Sequence, residues 1–201
     1  GLLPVVQFVR RGVFPIIQIG IPILLIIMGS IDLGKAVMSS DDKEIKGATS
    51  GWVVSLSTQV QRDVAQSKIL NYINPEWIED VVMLSGRKDS YKNGVIDYIL
   101  IKNVFGSISK IGFKSCDQGR EKFQGSSLDY VWFDEEPPKE IYDECRMRVL
   151  DKCGEIFGTM TPLKGLTHIY DEIYLNCFNS KDVWYEFMEW NDNPFLSKKE
   201  V

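Results

Sequence analysis

An apolar stretch that runs directly into three acids is the feature of this sequence with the clearest chemistry. Residues 130–133 read Tyr-Val-Trp-Phe, then Asp134, Glu135 and Glu136 follow, and two prolines end the stretch. Such a bounded apolar run predicts a buried parallel strand, and acids at its carboxyl end would lie where open α/β sheets bind ligands. We therefore assign Asp134 to hold Mg²⁺ and Glu135 to orient and deprotonate a water. The alternative is a strand that leaves the core into an acidic, solvated loop.

A second candidate for phosphate chemistry lies near the amino terminus. Ile23–Met28 reads as a buried strand that feeds Gly-Ser-Ile-Asp-Leu-Gly-Lys-Ala, which fits the pattern G-x-x-x-x-G-K. In a phosphate-binding loop, Gly29 and Gly34 would let backbone N–H groups curl around the phosphates, and Lys35 would reach the β- and γ-phosphates. Ala36 stands where such loops carry a Ser or Thr that ligands Mg²⁺. A plain glycine turn after an apolar strand remains the alternative.

The elements that position these residues follow from periodicity and breakers. Thr58 is predicted to cap a helix, and the loop around Gly106 is predicted to join a hairpin just before the acidic strand. Thr159 and Thr161 would then sit at the carboxyl end of the strand that neighbours the acidic one. The predicted strands are 52–57, 96–102, 110–114, 130–133, 156–160 and an edge strand over 184–190, and the predicted helices are 59–72 and 141–150.

The order of four segments carries a family resemblance. Taken together, they resemble the ATPase domain of the large terminase subunit of tailed bacteriophages, and the resemblance covers roughly Trp52 to Val201. The combination is far more specific than any one segment. The four segments are Lys110–Gly125, Asp129–Glu136, Glu155–Tyr170 and Trp190–Ser197.

The resemblance implies a fold and an activity. The fold is α/β, a RecA-like P-loop NTPase with a mainly parallel central sheet flanked by helices. The activity is ATP hydrolysis with Mg²⁺ that drives double-stranded DNA into a procapsid in the host cell cytoplasm. Its partners are the portal protein, the small terminase subunit and further copies in a ring. Two rivals stay open: another P-loop translocase or helicase, and a catalytically inactive terminase fragment.

The resemblance also suggests roles for three further residues. Thr159 and Thr161 fall in a segment that resembles the motif coupling hydrolysis to motion, although a strand edge with a proline turn is the plain alternative. Many terminases carry an arginine directly before the glycine that here is Gly125, but this chain has Gln124. Arg120, together with Lys122, is left as a displaced candidate for the arginine finger, against an ordinary surface charge.

Composition limits the classes of protein that fit. A chain of 201 residues with 44% hydrophobic and 25% charged residues suits one α/β domain. The net charge of −5 does not indicate general nucleic-acid binding, so contact with DNA must be local, transient or supplied elsewhere. We expect residues 1–50 to be an atypical segment with a degenerate P-loop unit as one reading, and residues 51–201 to be the ATPase core. We expect no carboxyl-terminal nuclease and no DNA cleavage.

The apolar run Val13–Met28 and the cysteines bear on location. The run follows two arginines, but Pro15, Gln18, Gly20 and Pro22 interrupt it and it falls short of a full span. We therefore expect no stable membrane association. The four cysteines form no C-x-x-C pair, which favours thiols in a reducing cytoplasm.

Overall fold

The computed structural model describes residues 47–103, 106–161, 165, 167–180 and 182–186. The chain divides into two compact units, residues 45–165 and residues 1–44 with 166–201. No helix in the described ranges is long and apolar enough to cross a membrane. The apolar run 13–28 and the predicted phosphate loop lie outside the described residues.

The first unit alternates strands with helices and short turns. Its strands are β1 (Ser50–Ser55), β2 (Ile78–Ser85), β3 (Val95–Lys102), β4 (Ile108–Ser115), β5 (Tyr130–Asp134) and β6 (Glu155–Thr159). Its helices are α1 (Thr58–Val60), a π-helical turn Gln61–Gln66, α2 (Ser67–Tyr72) and α3 (Lys139–Leu150). Short 3₁₀ turns at 75–77, 88–93, 116–118 and 120–123 join them.

These strands form one six-stranded sheet in the order β2-β3-β4-β1-β5-β6. The pairs β1–β4, β1–β5 and β5–β6 are parallel, whereas β2–β3 and β3–β4 are antiparallel. The predicted α/β class, the hairpin and the parallel strand before the acids are therefore confirmed. The sheet is less parallel than predicted, because β2 and the hairpin extend it in the antiparallel sense. The stretch 78–85, for which no strand was predicted, is strand β2.

Burial is continuous along the central parallel strands β1 and β5. Val53, Val131, Trp132 and Phe133 are almost fully buried, as expected for strands covered on both faces. Successive side chains point to opposite faces, so Trp132 stacks on Phe157 on one face while Phe133 packs on Tyr142 of α3 on the other. These contacts on both faces fix the register of the strands. The register in turn decides which residues lie side by side where the strands end.

The helix after β1 differs from its prediction in its cap. Ser57, not Thr58, is the N-cap, and its hydroxyl accepts a hydrogen bond from the Val60 N–H at 3.3 Å. Thr58 instead donates its N–H to Asp117 at 2.8 Å and its hydroxyl to the same carboxylate at 3.0 Å. Asp117 therefore ties the segment after β4 to the start of this helix, a contact between residues far apart in sequence.

The second unit is described over 167–180 and 182–186. It contains a π-helical turn (Tyr170–Tyr174) and a 3₁₀ turn (Asn176–Phe178). The predicted edge strand is absent over its described part, since residues 183–186 have no regular structure and Trp184 is 72% exposed. Tyr185 packs on the ring of Tyr174, with centroids 4.8 Å apart. Tyr185 thus belongs to a local cluster of rings with Tyr170, Tyr174 and Phe178.

Candidate active site

A row of polar residues marks the carboxyl edge of the parallel strands. Ser115, Ser55, Asp134 and Thr159 are successive register partners across β4, β1, β5 and β6. Each is the last residue of its strand, so the chain turns away from the sheet directly after each of them. Asp134 emerges at the end of a buried parallel strand, as the sequence predicted, and Glu135 begins the loop that follows.

Glu135 has an unusual backbone that turns its side chain back toward β6. Its φ is +80°, a left-handed conformation that side-chain-bearing residues adopt rarely. The Glu135 N–H donates to the Thr159 carbonyl at 2.9 Å, and the Thr161 N–H donates to Glu135 Oε2 at 3.1 Å. The strained turn is therefore stabilised at two points, and the carboxylate is oriented by the backbone that follows β6.

Glu136 is set apart from its two acidic neighbours by burial. Its exposed fraction is only 7%, whereas Asp134 and Glu135 are half-buried. Pro138 then caps α3, which begins at Lys139. The three consecutive acids thus occupy three different environments, and the first two remain accessible to a ligand at the strand ends.

The environment of Asp134 favours its neutral form. Partial burial raises the pKa of Asp134; the positive charge of Lys68 counteracts this shift and the negative charge of Glu135 adds to it. Among the described residues, no group donates a hydrogen bond to the Asp134 carboxylate. A half-buried carboxylate that lacks donors is costly unless a cation or water satisfies it. Asp134 is accordingly suited to hold a cation.

Ser55, beside Asp134 on the adjacent strand, supplies a second oxygen without a hydrogen-bond partner among the described residues. Its hydroxyl is buried and has no hydrogen-bond partner among the described residues, and Ser55 is the register partner of Asp134 on the adjacent strand. Register partners on parallel strands point to the same face, so the hydroxyl and carboxylate share one side of the sheet. Mg²⁺ retains several waters and typically uses one or two carboxylates, so an orphaned hydroxyl beside one carboxylate fits a hydrated Mg²⁺. The part of the chain that the structure describes contains no cluster of three or more His, Cys, Asp or Glu that could hold a metal ion, so most ligands of a bound Mg²⁺ would have to be waters or phosphates.

The two threonines predicted for coupling contact the acidic segment in different ways. Thr159 accepts a hydrogen bond from Trp132 Nε1 at 3.0 Å through its hydroxyl. Thr161 is exposed, and its backbone N–H donates a hydrogen bond to the Glu135 carboxylate. The structure therefore brings Asp134, Glu135, Thr159 and Thr161 together at one end of two adjacent strands.

Arg120 is engaged away from these acids. It lies in the turn Arg120–Phe123, and its Nε donates to Glu144 Oε2 at 2.9 Å. Glu144 is only 5% exposed and also pairs with Arg148 at 3.2 Å, so α3 holds the turn through a buried carboxylate. The arginine-finger role stays a prediction, and it would require Arg120 to leave Glu144.

Sequence reasoning found some of this site and missed other parts. Gly29, Gly34 and Lys35 lie outside the described residues, so their predicted roles stay predictions. Lys68 and Ser55 were not singled out, although both influence the setting of Asp134. Ser55 carried a usable signal, since it ends an apolar run as Asp134 does.

The fold and site define a class of protein: an α/β domain with paired acids at the carboxyl edge of its parallel strands, the edge at which open α/β sheets bind their ligands. The sequence profile of one family, described as terminase large subunit, T4likevirus-type, N-terminal, matches residues 48–200. The chain belongs to this family. The resemblance proposed from its motifs is confirmed.

Comparisons with known proteins agree with this family. The chain is 35% identical over 111 residues to the terminase large subunit of Salmonella phage P22, an alignment covering 52% of this chain and 22% of that protein. It resembles the solved large terminase of a thermophilic bacteriophage in complex with ADP, with a TM-score of 0.51 and 16% identity. That match covers 82% of this chain and 38% of the thermophilic-phage chain. A second structure of the large terminase from the same phage matches with the same TM-score and identity over 82% and 37% of the two chains.

The chain thus spans about a fifth of its P22 relative and under two fifths of the thermophilic-phage terminase. At this identity, the structural match establishes a shared fold. The bound ADP belongs to the thermophilic-phage protein.

Proposed function

We propose that this chain is the ATP-hydrolysing motor domain of a DNA-packaging terminase, acting on double-stranded DNA. The observation that carries the proposal is the placement of Glu135 beside Asp134, where its backbone N–H donates to the Thr159 carbonyl and its carboxylate accepts from the Thr161 N–H. Family membership supports the assignment, and the ADP complex of the thermophilic-phage terminase supports a nucleotide as ligand. The RecA-like P-loop architecture is part of the same proposal.

The proposed chemistry divides among the residues at the strand ends. Glu135 orients the attacking water and accepts its proton, because its carboxylate is fixed at one oxygen by the Thr161 N–H and stays half-buried. Asp134, with the Ser55 hydroxyl beside it, holds Mg²⁺ and its waters. When bound, Mg²⁺ neutralises charge on the phosphates. Lys35 and the backbone at Gly29 and Gly34 are proposed to bind those phosphates.

The wider setting is proposed on family grounds. The partners are double-stranded DNA, the portal protein, the small terminase subunit and further copies in a ring on the procapsid, in the host cytoplasm. The basic test is Mg²⁺-dependent ATP hydrolysis by this chain. Absence of both nucleotide binding and hydrolysis would favour the inactive fragment, a reading that Ala36 keeps open.

The proposed phosphate loop gives a paired prediction. Lys35→Ala should weaken ATP binding, because the ammonium that reaches the β- and γ-phosphates is lost. Ala36→Thr should strengthen the Mg²⁺ dependence of binding, because a hydroxyl at this place completes the metal shell. Equilibrium titration of a fluorescent ATP analogue with and without Mg²⁺ measures both. If neither substitution changes the titration, residues 29–36 do not form the phosphate loop.

The Thr161 hydroxyl gives a test of coupling. Thr161→Val removes the hydroxyl but keeps the backbone N–H that holds Glu135 at 3.1 Å, so ATP hydrolysis should remain near the parental rate. DNA movement should fall more than hydrolysis if the hydroxyl reports the γ-phosphate state. The measurement is base pairs moved per ATP in a packaging assay reconstituted with the remaining packaging proteins. Equal losses in both activities for Thr161→Val would remove the coupling role.

A further inference from the structure

We infer that a basic groove on the β3–β4 part of the sheet, distinct from the acidic strand ends, binds backbone phosphates of duplex DNA. The residues of the groove that matter here are Trp52, Asp97, Tyr98, Lys110, Lys114 and Lys122. Three lysines and one aspartate give a local surplus of two positive charges in a chain whose net charge is −5. The choice of DNA as ligand rests on the proposed function, whereas the surface that contacts it has not been assigned by family membership.

The floor of the groove is shaped by a glycine and a tryptophan. Gly112 lies between Lys110 and Lys114 on β4, and a Cβ at Gly112 would come within 2.7 Å of Trp52 Cδ1. The indole therefore lies across the strand at this glycine. Trp52 is only 5% exposed and packs edge-on against Phe123, with ring centroids 5.7 Å apart. It supports the groove but has no open face for stacking a base.

Aromatic rings position the two lysines of β4. The Lys110 ammonium lies 3.9 Å from the centre of the Tyr98 ring, and that of Lys114 lies 5.7 Å from the Trp52 ring. Lys114 also has Asp97 at 3.5 Å, a distance longer than a normal charged hydrogen bond. The rings attract the ammonium groups without neutralising their charges. Both ammonium groups therefore retain capacity for an anion.

The size and the charge of the groove indicate a phosphate backbone as the ligand. Lys110 and Lys114 are four residues apart on one strand, which separates their Cα atoms by roughly 13 Å. The groove has a volume of about 160 Å³. Small-molecule sites usually measure about 300–1,000 Å³, so this groove is too small for a whole nucleotide. Two ammonium groups in a shallow groove of this size suit the phosphates of a backbone, and lysines act there as point charges that read no sequence.

The test is the salt dependence of duplex binding by this chain. The double variant Lys110→Gln/Lys114→Gln should reduce the slope of log affinity against log salt by about 1.8, since each phosphate contact contributes about 0.9. Between about 50 and 200 mM salt, the parental affinity should then fall roughly 12-fold more than that of the variant. Fluorescence anisotropy of a set of labelled blunt duplexes of unrelated sequence measures this. A parental slope equal to the variant's, or absence of parental duplex binding at low salt, overturns the inference.

Two matched variants complete the test. Lys88→Gln/Lys92→Gln makes the same charge change outside the groove and should keep the parental slope, whereas Lys110→Arg/Lys114→Arg retains the charge and should also keep it. A loss of polyglutamate binding without loss of duplex binding in the glutamine variant would assign the groove to an acidic protein and overturn the inference. ATP-analogue affinity should be equal in parent and glutamine variant. If neither the parent nor the glutamine variant binds the ATP analogue, the proposed ATPase function is contradicted. The salt slope alone decides whether the groove binds duplex DNA.

Discussion

Replacing Glu135 by glutamine is expected to lower ATP turnover by about 10² to 10⁴ while nucleotide affinity stays near the parental value. The amide keeps the size of the side chain and can still accept the Thr161 N–H that now bonds to Oε2 at 3.1 Å. It cannot take a proton from the attacking water. Single-turnover hydrolysis gives the rate, and titration of a fluorescent ATP analogue gives the affinity.

Glu136→Gln is the matched control for this prediction. Glu136 follows Glu135 directly but is 7% exposed, so it has little access to a water at the strand ends. The control should retain most turnover, and a denaturant melt should report any loss of stability from changing a buried carboxyl. If Glu135→Gln hydrolyses ATP at near-parental rate and Glu136→Gln does not, the base is Glu136.

Asp134→Asn is expected to abolish the Mg²⁺ dependence of nucleotide binding and to raise the stability of the protein without nucleotide. The amide binds Mg²⁺ poorly, because it carries no charge. It also removes a half-buried carboxylate that accepts no hydrogen bond from the described residues. The free energy of unfolding, from denaturant melts at neutral pH, should increase. A lower stability together with unchanged Mg²⁺ dependence would contradict both parts of the assignment.

The pH dependence of the same variant has a definite sign. Because burial raises the pKa of Asp134, the folded state binds its proton more tightly than the unfolded state. The parental stability contributed by this group is therefore greatest below its unfolded pKa and declines as pH rises through the folded pKa. Mg²⁺ binding needs the carboxylate and should weaken as pH falls toward that raised pKa. Both trends should disappear in Asp134→Asn, and Glu155→Gln, which changes an exposed acid on β6, should retain them.

Local signals identified the acidic strand and the strand that neighbours it. The apolar run 130–133 and the breakers around it are short-range features, so β5 and β6 were predicted within one or two residues. Strand β2 was missed because its burial is mixed along its length, which leaves no clear period. The cap of the first helix was misplaced because Ser57 and Thr58 both suit an N-cap, and only the distant Asp117 engages Thr58.

The sequence by itself determined the family, the acids at the end of β5 and the threonines at and just after the end of β6, because each depends on residue type and spacing within a few residues. Only the tertiary structure decided which groups meet. Glu135 meets the Thr161 N–H, Arg120 meets Glu144, and Lys114 meets Trp52. These partners are 24 to 62 positions apart in the sequence. The order and register of the strands bring them together, and both depend on burying the apolar faces of the whole sheet at once, which no local pattern specifies.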